Sequence, residues 1–345
     1  MSNVYFIPVL TVYDTERINK AAKVLLGKLT EERQEDISGV VPVKFHFGEA
    51  GNTTYLGPEN YDGILEFIRE RGAEPAFIET NVLYKGERMT EKSHRRLAEE
   101  HGFTKAPVII ADGDHGESYT EVEINKKNFK TCKIGKEFEK YPCLIVASHF
   151  KGHVLAGFGG AIKQLAMGCA SRGGKLAQHD NAVPIIDLNK CVSCGACKRQ
   201  CPAGAISLNP KAVIDEEKCL GCAACISTCR LDAIGNDWDR TLNGNFFERL
   251  AEYAYAAALG KKNMYITFAL NITELCDCAG QSLETVAPDL GVFASLDPVA
   301  IDKAALDMVN RRKKVFKKGG HTLDYGREIG LGDTEYTLIN LSLYN

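Results

Sequence analysis

Residues 143–170 read CLIVASHFKGHVLAGFGGAIKQLAMGCA and contain the successive parts of one strand–loop–helix unit. The apolar run CLIVAS predicts a buried β-strand, and Gly157, Gly159 and Gly160 predict a loop. The stretch that begins at the last of these glycines, GAIKQLAMGCA, predicts a helix. A buried strand followed by a helix is the repeating unit of an α/β sheet. The unit therefore indicates an α/β fold.

The same alternation of apolar runs and helical stretches continues on both sides of this unit. On the N-terminal side the apolar runs are VYFIPVL, VVPVKFHFG, EPAFIET and APVIIADG, and the helical stretches include TERINKAAKVLLGKL and NYDGILEFIRERG. On the C-terminal side MYITFAL and LGVFASLD alternate with FFERLAEYAYAAALG and DPVAIDKAALDMVNRR. Strands that alternate with helices predict a mostly parallel sheet with helices on both faces.

Residues 183–236 interrupt this alternation with a cysteine-rich segment that contains an internal repeat. DLNKCVSCGACKRQCPAGAIS begins at Asp187, and DEEKCLGCAACISTCRLDAIG begins 28 residues later at Asp215. The repeat predicts a small inserted α+β domain between two parts of one α/β body, residues 1–182 and 237–345. Two independent α/β domains are the alternative organisation.

Each copy of the repeat has the pattern C-x-x-C-x-x-C followed by a fourth cysteine. A 4Fe-4S cluster needs four thiolates, and in bacterial two-cluster proteins the fourth cysteine of each copy ligates the other cluster. The predicted ligands are Cys191, Cys194, Cys197 and Cys229 for cluster 1, and Cys219, Cys222, Cys225 and Cys201 for cluster 2. Zinc sites built from C-x-x-C pairs are the alternative, although zinc does not require this crossed arrangement.

The cysteine segment resembles the bacterial two-cluster 4Fe-4S ferredoxins. Small residues between the ligands, such as Gly195 and Gly221, let backbone N–H groups approach the sulfurs. Arg230 departs from this family, which usually has proline after the last cysteine. Ligand binding does not depend on that proline, and a positive charge there would raise the potential of cluster 1.

Basic side chains surround the predicted strand end and helix start of the opening unit. His149, Lys151 and His153 alternate at the end of the strand, and Lys163 lies in the first turn of the helix. A helix start after a glycine loop can bind an anion through its free N–H groups and the helix dipole. We therefore predict an anionic ligand at Lys151, His153 and Lys163, with His149 as an acid or base.

The candidate anion site also includes the glycine loop and two downstream cations. These residues are Gly157, Gly159, Gly160, Arg172 and Lys175. Residues 170–180, ASRGGKLAQHD, lead directly into the cysteine segment, so they predict a polar tether that brings a ligand close to the clusters. The alternative is a structural turn with solvated lysines, followed by a charged linker.

Polar residues also follow the other predicted strands. In open α/β sheets, ligands bind beyond the carboxyl ends of the strands. We therefore predict one polar cleft that gathers His46, Glu49, Glu79, Thr80, Asn81, Asp112, Asp114 and Asn271. The charged helical stretch TEKSHRRLAEEHG predicts, by contrast, solvated surface positions for His94 and His101.

Two further cysteines stand apart from the repeat in the loop ELCDCAG. Cys276 and Cys278 lie on either side of Asp277, where such a pair can chelate a soft metal or react as a thiol pair. The alternative is that both are small buried residues that only pack. Cys132 and Cys143 lie beside apolar sequence and are predicted to be inert core cysteines.

Several of these stretches together resemble the iron–sulfur proteins built on the domain of unknown function 362. The matching stretches are VKFHFGEAGNTTYL, APVIIADG, SHFKGHVLAGFGGAIKQLAMGCASRGGKLAQH, CDCAG, FASLDPVAIDKAALDMVN, REIGLGDTEYTL and the two cysteine motifs. The resemblance implies a ferredoxin-like insert in an α/β body and a redox role, without a particular reaction. AIKQLAMGC departs from the relatives, which tend to have Asn or Leu-Gly within this stretch.

Composition limits the partners that we expect. The formal net charge of −3 over 345 residues gives no extended positive field for nucleic acid or an anionic membrane. The N-terminal stretch MSNVYFIPVLTVYD lacks a basic region and a cleavage site, and no window is as apolar as a membrane span. We therefore expect a cytoplasmic protein. Its 13 cysteines, with metal-like spacing, favour a reducing and anaerobic setting.

These features predict an oxidoreductase in which two 4Fe-4S clusters exchange electrons with an anionic small-molecule substrate, or with a further metal or organic cofactor, in the cleft. The first alternative is a ferredoxin-like electron carrier that docks on a redox partner protein. The second is a protein that handles metals or clusters through Cys276 and Cys278.

Overall fold

The computed structural model describes residues 1–180, 183–237, 245–312 and 314–343. The predicted boundary at residue 182 therefore lies outside the described residues. The described chain contains a central sheet of eight strands and several two-stranded sheets. Helices cover both faces of the central sheet.

The strands are, in chain order, β1 (Ser2–Pro8), β2 (Val40–Lys44), β3 (Glu74–Glu79), β4 (Val108–Ile110), β5 (Tyr119–Glu123), β6 (Thr131–Gly135), β7 (Ile145–His149), β8 (Lys151–His153), β9 (Gly157–Gly159), β10 (Ile185–Ile186), β11 (Ile206–Leu208), β12 (Ala212–Ile214), β13 (Ile234–Gly235), β14 (Met264–Ala269), β15 (Gly291–Ser295) and β16 (Tyr336–Asn340). The α-helices of the described ranges are α1 (Thr15–Arg33), α2 (Asp62–Glu70), α3 (Glu91–Glu100), α4 (Ala161–Cys169), α5 (Arg172–Gln178), α6 (Ala196–Gln200), α7 (Ala224–Thr228), α8 (Phe246–Ala258), α9 (Pro298–Arg312) and α10 (Gly320–Glu328). Within those ranges, no helix is both long enough and apolar enough to cross a membrane.

The central sheet has the strand order β16-β1-β15-β14-β7-β2-β3-β4. Its pairings are parallel except at β15, which is antiparallel to both of its neighbours. The predicted α/β fold with a mostly parallel sheet is therefore confirmed. The exception arises because residues 270–290, between β14 and β15, contain no helix that would carry the chain back across the sheet.

The opening unit forms the strand β7 and the helix α4, as predicted. Within β7, Val146 packs into one core, and Ile145 and Ala147 pack into the other. Both faces are apolar because successive side chains of a strand point to opposite faces, and helices cover both. The helices α4, α8 and α9 pack on the first core, and α1 and α2 pack on the second.

The cysteine segment forms small elements with a core of their own. β10 pairs with β13, and β11 pairs with β12. α6 and α7 each follow a residue in the left-handed conformation, Gly195 (φ 73°) and Ala223 (φ 59°). These positions are equivalent in the two copies, so the sequence repeat is also a structural repeat. The helices that precede and follow the segment in the chain, α5 and α8, contact each other. Arg249 of α8 donates a hydrogen bond to the carbonyl of Ala177 in α5 at 3.1 Å.

The prediction that His94 is a solvated surface residue was wrong. His94, Leu97 and Ala98 form the buried face of α3, and the His94 ring lies 5.3 Å from the ring of Phe47. Burial lowers the pKa of His94 well below its ordinary value, so the ring is neutral. His101 is half-buried, and its Nδ1 lies 2.8 Å from the carbonyl oxygen of Phe47.

Candidate functional site

A cleft of about 480 Å³ opens at the carboxyl ends of β2, β3 and β7, and α4 forms one of its walls. This volume lies in the range of small-molecule sites. The predicted residues that line the cleft are His46, Glu79, Thr80, His149, Lys151, His153, Gly159, Gly160, Lys163, Lys175, Cys276 and Cys278. The predicted polar residues outside this lining are Glu49, Asn81, Asp112, Asp114 and Asn271.

Glu79 of the cleft lining belongs to a buried ion pair. Lys44 Nζ lies 2.9 Å from Glu79 Oε1, and both side chains are buried. The ammonium also donates to the carbonyl of Phe45 at 2.8 Å and to Gln164 Oε1 at 3.2 Å. Burial alone would raise the pKa of Glu79, but Lys44, with His46 and Arg88, outweighs burial and holds that pKa below its ordinary value. Glu79 is therefore a carboxylate.

Arg88 and Tyr84 form a second wall of the cleft. Arg88 Nη1 lies 3.0 Å from His46 Nδ1. Because a guanidinium group only donates, Nδ1 is the acceptor and the ring hydrogen lies on Nε2. That Nε2 is buried and has no nitrogen or oxygen partner among the described residues. Arg88 also contacts the Tyr84 hydroxyl and lies 3.5 Å from Glu49 Oε2.

Asp277 anchors the loop that contains the thiol pair. Its Oδ2 lies 2.8 Å from His149 Nδ1 and also accepts a hydrogen bond from Lys151 Nζ. His149 Nε2 lies 2.8 Å from the carbonyl oxygen of Leu270, so each ring nitrogen faces an oxygen acceptor. Burial would raise the pKa of Asp277, but Lys151 and His149 hold it below its ordinary range. His149 and Lys151 therefore fix the loop, and the acid or base role of His149 stays a prediction.

The two thiols of this loop lie close together at the cleft wall. The sulfurs of Cys276 and Cys278 and a ring nitrogen of His153 all lie within 4.8 Å of one another. The Cys278 N–H group lies 3.4 Å from Cys276 Sγ, and Lys163 Nζ lies 3.8 Å from the same sulfur. The hydrogen bond from the Cys278 side chain, followed by Lys163 and opposed by burial, lowers the pKa of Cys276 well below its ordinary value. The pKa of Cys278 is raised, first by its hydrogen bond with Cys276.

His153 is a neutral hydrogen-bond donor at this site. The N–H groups of Leu155 and Ala156 donate to its Nδ1 at 3.3 and 3.0 Å. The ring hydrogen therefore lies on Nε2. Burial, followed by the charge of Lys163, lowers the pKa of His153 to about 3. His153 therefore supplies no positive charge to the predicted anion site at neutral pH.

The start of α4, where we predicted an anion, already contacts a carboxylate of the protein. Asp302 of α9 accepts hydrogen bonds from the N–H groups of Ala161 and Ile162 at 2.6 and 3.0 Å. Gly160 permits this approach, since a Cβ there would lie 2.2 Å from Asp302 Oδ1. Gly157 has a φ of 80°, a left-handed conformation that favours glycine. An external anion at this loop stays a prediction, and the two paired helix amides do not contribute to it.

Replacing Asp302 by alanine is expected to lower the free energy of unfolding by about 2–6 kcal/mol, because two buried N–H groups lose their acceptor at about 1–3 kcal/mol each. Asp302→Asn retains one acceptor oxygen and should cost about half as much. Urea unfolding followed by circular dichroism measures both values. A cost below about 1 kcal/mol for the alanine variant would show that water replaces the carboxylate.

The two downstream cations of the candidate anion site have different surroundings. Arg172 donates to the carbonyl of Val82 at 3.0 Å and contacts the carbonyls of Met89 and His115. Its guanidinium therefore ties loops of the body together. Lys175 reaches the cleft, where its Nζ donates to Thr80 and to the carbonyl of Ala170. Burial lowers the pKa of Lys175 below its ordinary value.

The eight cysteines of the repeat line two cavities in the cysteine segment. The first cavity, of about 620 Å³, is lined by Cys191, Cys194, Cys197 and Cys229. The second cavity is lined by Cys201, Cys219, Cys222 and Cys225. Each set contains three cysteines from one copy of the repeat and the last cysteine of the other copy. These sets are the crossed combinations that the spacing predicts.

The helix α5 lies between the cleft and the second of these cavities. Lys175 of this helix lines the cleft, and Leu176 belongs to the same core as Cys225. A Cβ at Gly173 would lie 2.4 Å from the carbonyl oxygen of Gly221 and 3.0 Å from the Cα of Cys222. One short helix therefore contacts both the cleft and the second cysteine set.

The remaining cysteines lie away from the cleft lining. Cys132 and Cys169 are buried, and burial raises the pKa of the Cys132 thiol and raises that of Cys169 to about 12. Cys143 is half-buried beside Arg33, whose Nη1 lies 3.3 Å from its sulfur. Burial raises the pKa of Cys143 as well. The inert role predicted for Cys132 and Cys143 agrees with these neutral thiols.

Five residues of the site were not singled out from the sequence: Lys44, Tyr84, Arg88, Asp277 and Asp302. The sequence does mark Lys44 as unusual, since it is a single charge within the apolar strand VVPVKF. Asp302 carried a similar signal, since it lies on the buried face of α9. Buried charges require partners, so both positions could have been recognised as partners of groups elsewhere in the chain.

The fold and the site together define an α/β protein with a thiol-containing cleft and a tandem cysteine motif. The chain belongs to the family described as Domain of unknown function (DUF362), which matches residues 41–307. No curated protein matches the sequence significantly.

Two solved structures are similar to this chain at low sequence identity. A crystal structure of a protein from Thermotoga maritima has a TM-score of 0.45 at 12% identity, and the match covers 86% of this chain and 59% of that chain. The lactate racemase apoprotein from Thermoanaerobacterium thermosaccharolyticum has a TM-score of 0.35 at 12% identity, with 76% of this chain and 50% of that chain covered. This chain therefore spans less than two thirds of the length of either protein.

Proposed function

We propose that the protein is an iron–sulfur oxidoreductase whose tandem motif, within residues 183–236, holds two 4Fe-4S clusters. The cleft of the α/β body binds the substrate, or a further cofactor, that exchanges electrons with the motif. The observation that carries this proposal is the crossed lining of the two cavities. When bound, such clusters supply one-electron transfer at a potential tuned by hydrogen bonds to the sulfurs.

The donor groups of the two cavities fit this cofactor. Backbone N–H groups lie 3.3–3.4 Å from the sulfurs of Cys201, Cys219 and Cys229. Backbone donors, that of Ala212 first, also lower the pKa of the half-buried Cys191. Such donors stabilise the thiolate form that ligates iron. Zinc sites would more simply draw their C-x-x-C pairs from one copy of the repeat, whereas both cavities combine the two copies.

The position of α5 supports electron transfer between the motif and the cleft. Leu176 and Gly173 face the second cysteine set, and Lys175 of the same helix faces the cleft. Lys163 and Lys175 are the members of the predicted anion site that bring positive charge to the cleft wall. Both support the binding of an anionic ligand.

We further propose that a redox partner protein exchanges electrons with the motif in an anaerobic cytoplasm.

Anaerobic purification of the full chain tests the proposal. We expect about eight irons and eight sulfides per chain, and paramagnetic signals of reduced clusters after treatment with dithionite. We also expect Lys163→Gln to shift the reduction potential or the signal of the cluster nearest the cleft. Lys28→Gln, on the exposed face of α1, is the matched control.

Three results would contradict this proposal. Stoichiometric zinc without iron would contradict the proposal that the tandem motif holds two 4Fe-4S clusters. A simple electron carrier would instead be favoured by two observations together. The clusters would be intact with signals unchanged in both Lys163→Gln and Lys175→Gln, and the protein would retain no organic molecule. An extra metal that is lost with Cys276 would favour metal handling.

A further inference from the structure

We infer that Cys276 and Cys278 form a redox-active dithiol that reduces a small disulfide bound in the cleft. The inference deepens the proposed function and rests on it, because it names the substrate class of the same cleft. Both sulfurs line this cleft, so a bound molecule can reach them.

The backbone holds the two thiols at a separation that suits exchange. The Ala279 N–H group donates to the carbonyl of Cys276 at 2.9 Å and closes a turn at Asp277. The two sulfurs lie within 4.8 Å of each other, whereas a disulfide requires about 2.05 Å. Side-chain rotation within the turn brings them together. The contacts of Asp277 with His149 and Lys151 keep the turn in place meanwhile.

The surroundings make the two thiols unequal. Cys276 faces the ammonium of Lys163 at 3.8 Å and receives the N–H group of Cys278 at 3.4 Å. His46 Nε2 also carries its hydrogen at this wall of the cleft, and His46 contributes to lowering the pKa of Cys276. Cys276 is therefore the thiolate nucleophile. Cys278 keeps its proton and is the resolving thiol.

A metal ion is the competing occupant of this position, and His153 argues against it. A histidine that binds a metal normally donates its other ring N–H to an acceptor. His153 Nδ1 instead accepts from Leu155 and Ala156, so Nε2 carries the hydrogen. Metal binding at Nε2 would require removal of that hydrogen. Lys163 already supplies a positive charge beside Cys276.

The proposed exchange conserves atoms and electrons. The Cys276 thiolate attacks one sulfur of the disulfide, forms a mixed disulfide and releases the other half as a thiolate. That thiolate takes the proton of Cys278. The new Cys278 thiolate then attacks Cys276 Sγ, forms the Cys276–Cys278 disulfide and releases the second thiolate. The substrate gains two electrons and the protein loses two, and a dithiol or two one-electron iron–sulfur donors return the protein to its reduced form.

Thiol trapping on the full-length protein tests this inference. Protein reduced with dithiothreitol and freed of excess reductant is mixed with glutathione disulfide, alkylated with iodoacetamide and analysed as peptides by mass spectrometry. We expect Cys276 and Cys278 to become protected together as an internal disulfide. Cys278→Ser should stop at glutathione bound to Cys276, and Cys276→Ser should react at least about tenfold more slowly. Cys143→Ser, outside the cleft, is the control and should react like the wild type.

The pH dependence of alkylation separates a reactive pair from two thiols that only pack. Lys163→Gln should shift the midpoint of the pH profile of Cys276 alkylation upward by about one pH unit, which is about a tenfold loss of rate at pH values below the wild-type midpoint. An unchanged profile, or two thiols that stay free in excess glutathione disulfide, would overturn the inference. So would a stoichiometric metal that blocks alkylation in the wild type and is absent from Cys276→Ser.

The same preparation distinguishes this inference from the proposed function. Iron content reports on the tandem motif, and peptide mass reports on the cleft thiols. If the protein lacks iron but forms the internal disulfide, the proposed clusters are contradicted and the proposed dithiol is supported. If the protein holds its clusters while the two cleft thiols stay inert, the proposed dithiol is contradicted and the proposed clusters are supported.

Discussion

Replacing Lys44 by methionine is expected to lower the free energy of unfolding by about 3–5 kcal/mol, because it leaves a buried carboxylate without its main partner. Lys44 Nζ lies 2.9 Å from Glu79 Oε1, and the side chains are 0% and 5% exposed. Glu79→Gln should cost a similar amount, since it leaves the ammonium beside a neutral amide. The double variant, Lys44→Met with Glu79→Gln, should recover most of the loss.

Anaerobic urea unfolding of the four proteins gives the coupling between the two residues. The exposed pair Lys28–Glu31, at 2.7 Å, provides the matched control. Lys28→Met should change the free energy of unfolding by less than about 1 kcal/mol. Additive losses in the double variant would contradict the interpretation that Lys44 and Glu79 form one buried unit.

The stability that Glu79 contributes should also depend on pH. Its pKa is lower in the folded protein than in the unfolded chain, where a glutamate titrates near about 4.3. The contribution is therefore complete above about pH 4.3 and is lost as the pH falls toward the lower folded value. The wild type should accordingly lose more of its free energy of unfolding than Glu79→Gln in this acidic range. Equal losses would show that Glu79 is not held as a carboxylate.

The position of the cleft could be predicted from the sequence because parallel strands share a carboxyl edge. His46 follows β2, Glu79 ends β3 and Lys151 follows β7, and all three line the cleft. Alternation and strand boundaries are local patterns, so they can be read without knowledge of the fold. The residues Asp112 and Asn271 follow the same rule, yet Asp112 pairs with Asn81, and Asn271 contacts the loop at Thr54.

The partners of the basic residues could not be predicted from local patterns. Local patterns predict an external anion at Lys151 and the α4 start, but Asp277 and Asp302 contact them. These carboxylates lie more than 120 residues further along the chain. Charge and spacing indicate where a carboxylate would be favourable. They do not distinguish a carboxylate of the protein from one of a ligand.

The second large expected effect is a loss of bound iron when cysteines of the crossed sets are replaced. Replacing Cys229 by serine is expected to remove the same proposed 4Fe-4S cluster as replacing Cys191, since both residues line the first cavity. Replacing Cys201 should remove the cluster that depends on Cys219, since both line the second cavity. Each single variant should lose about four of eight irons. Iron analysis and paramagnetic spectra of the reduced proteins measure the loss and identify the missing signal.

Pairs of substitutions separate crossed ligands from ligands within one copy. Cys191→Ser combined with Cys229→Ser should retain the iron of either single variant, because both changes affect one cluster. Cys191→Ser combined with Cys201→Ser should lose nearly all iron, although these residues belong to the same copy of the repeat. The reverse result would assign each cluster to one copy and contradict the crossed sets. Cys132→Ser, in the core of the body, controls for the loss of a thiol as such.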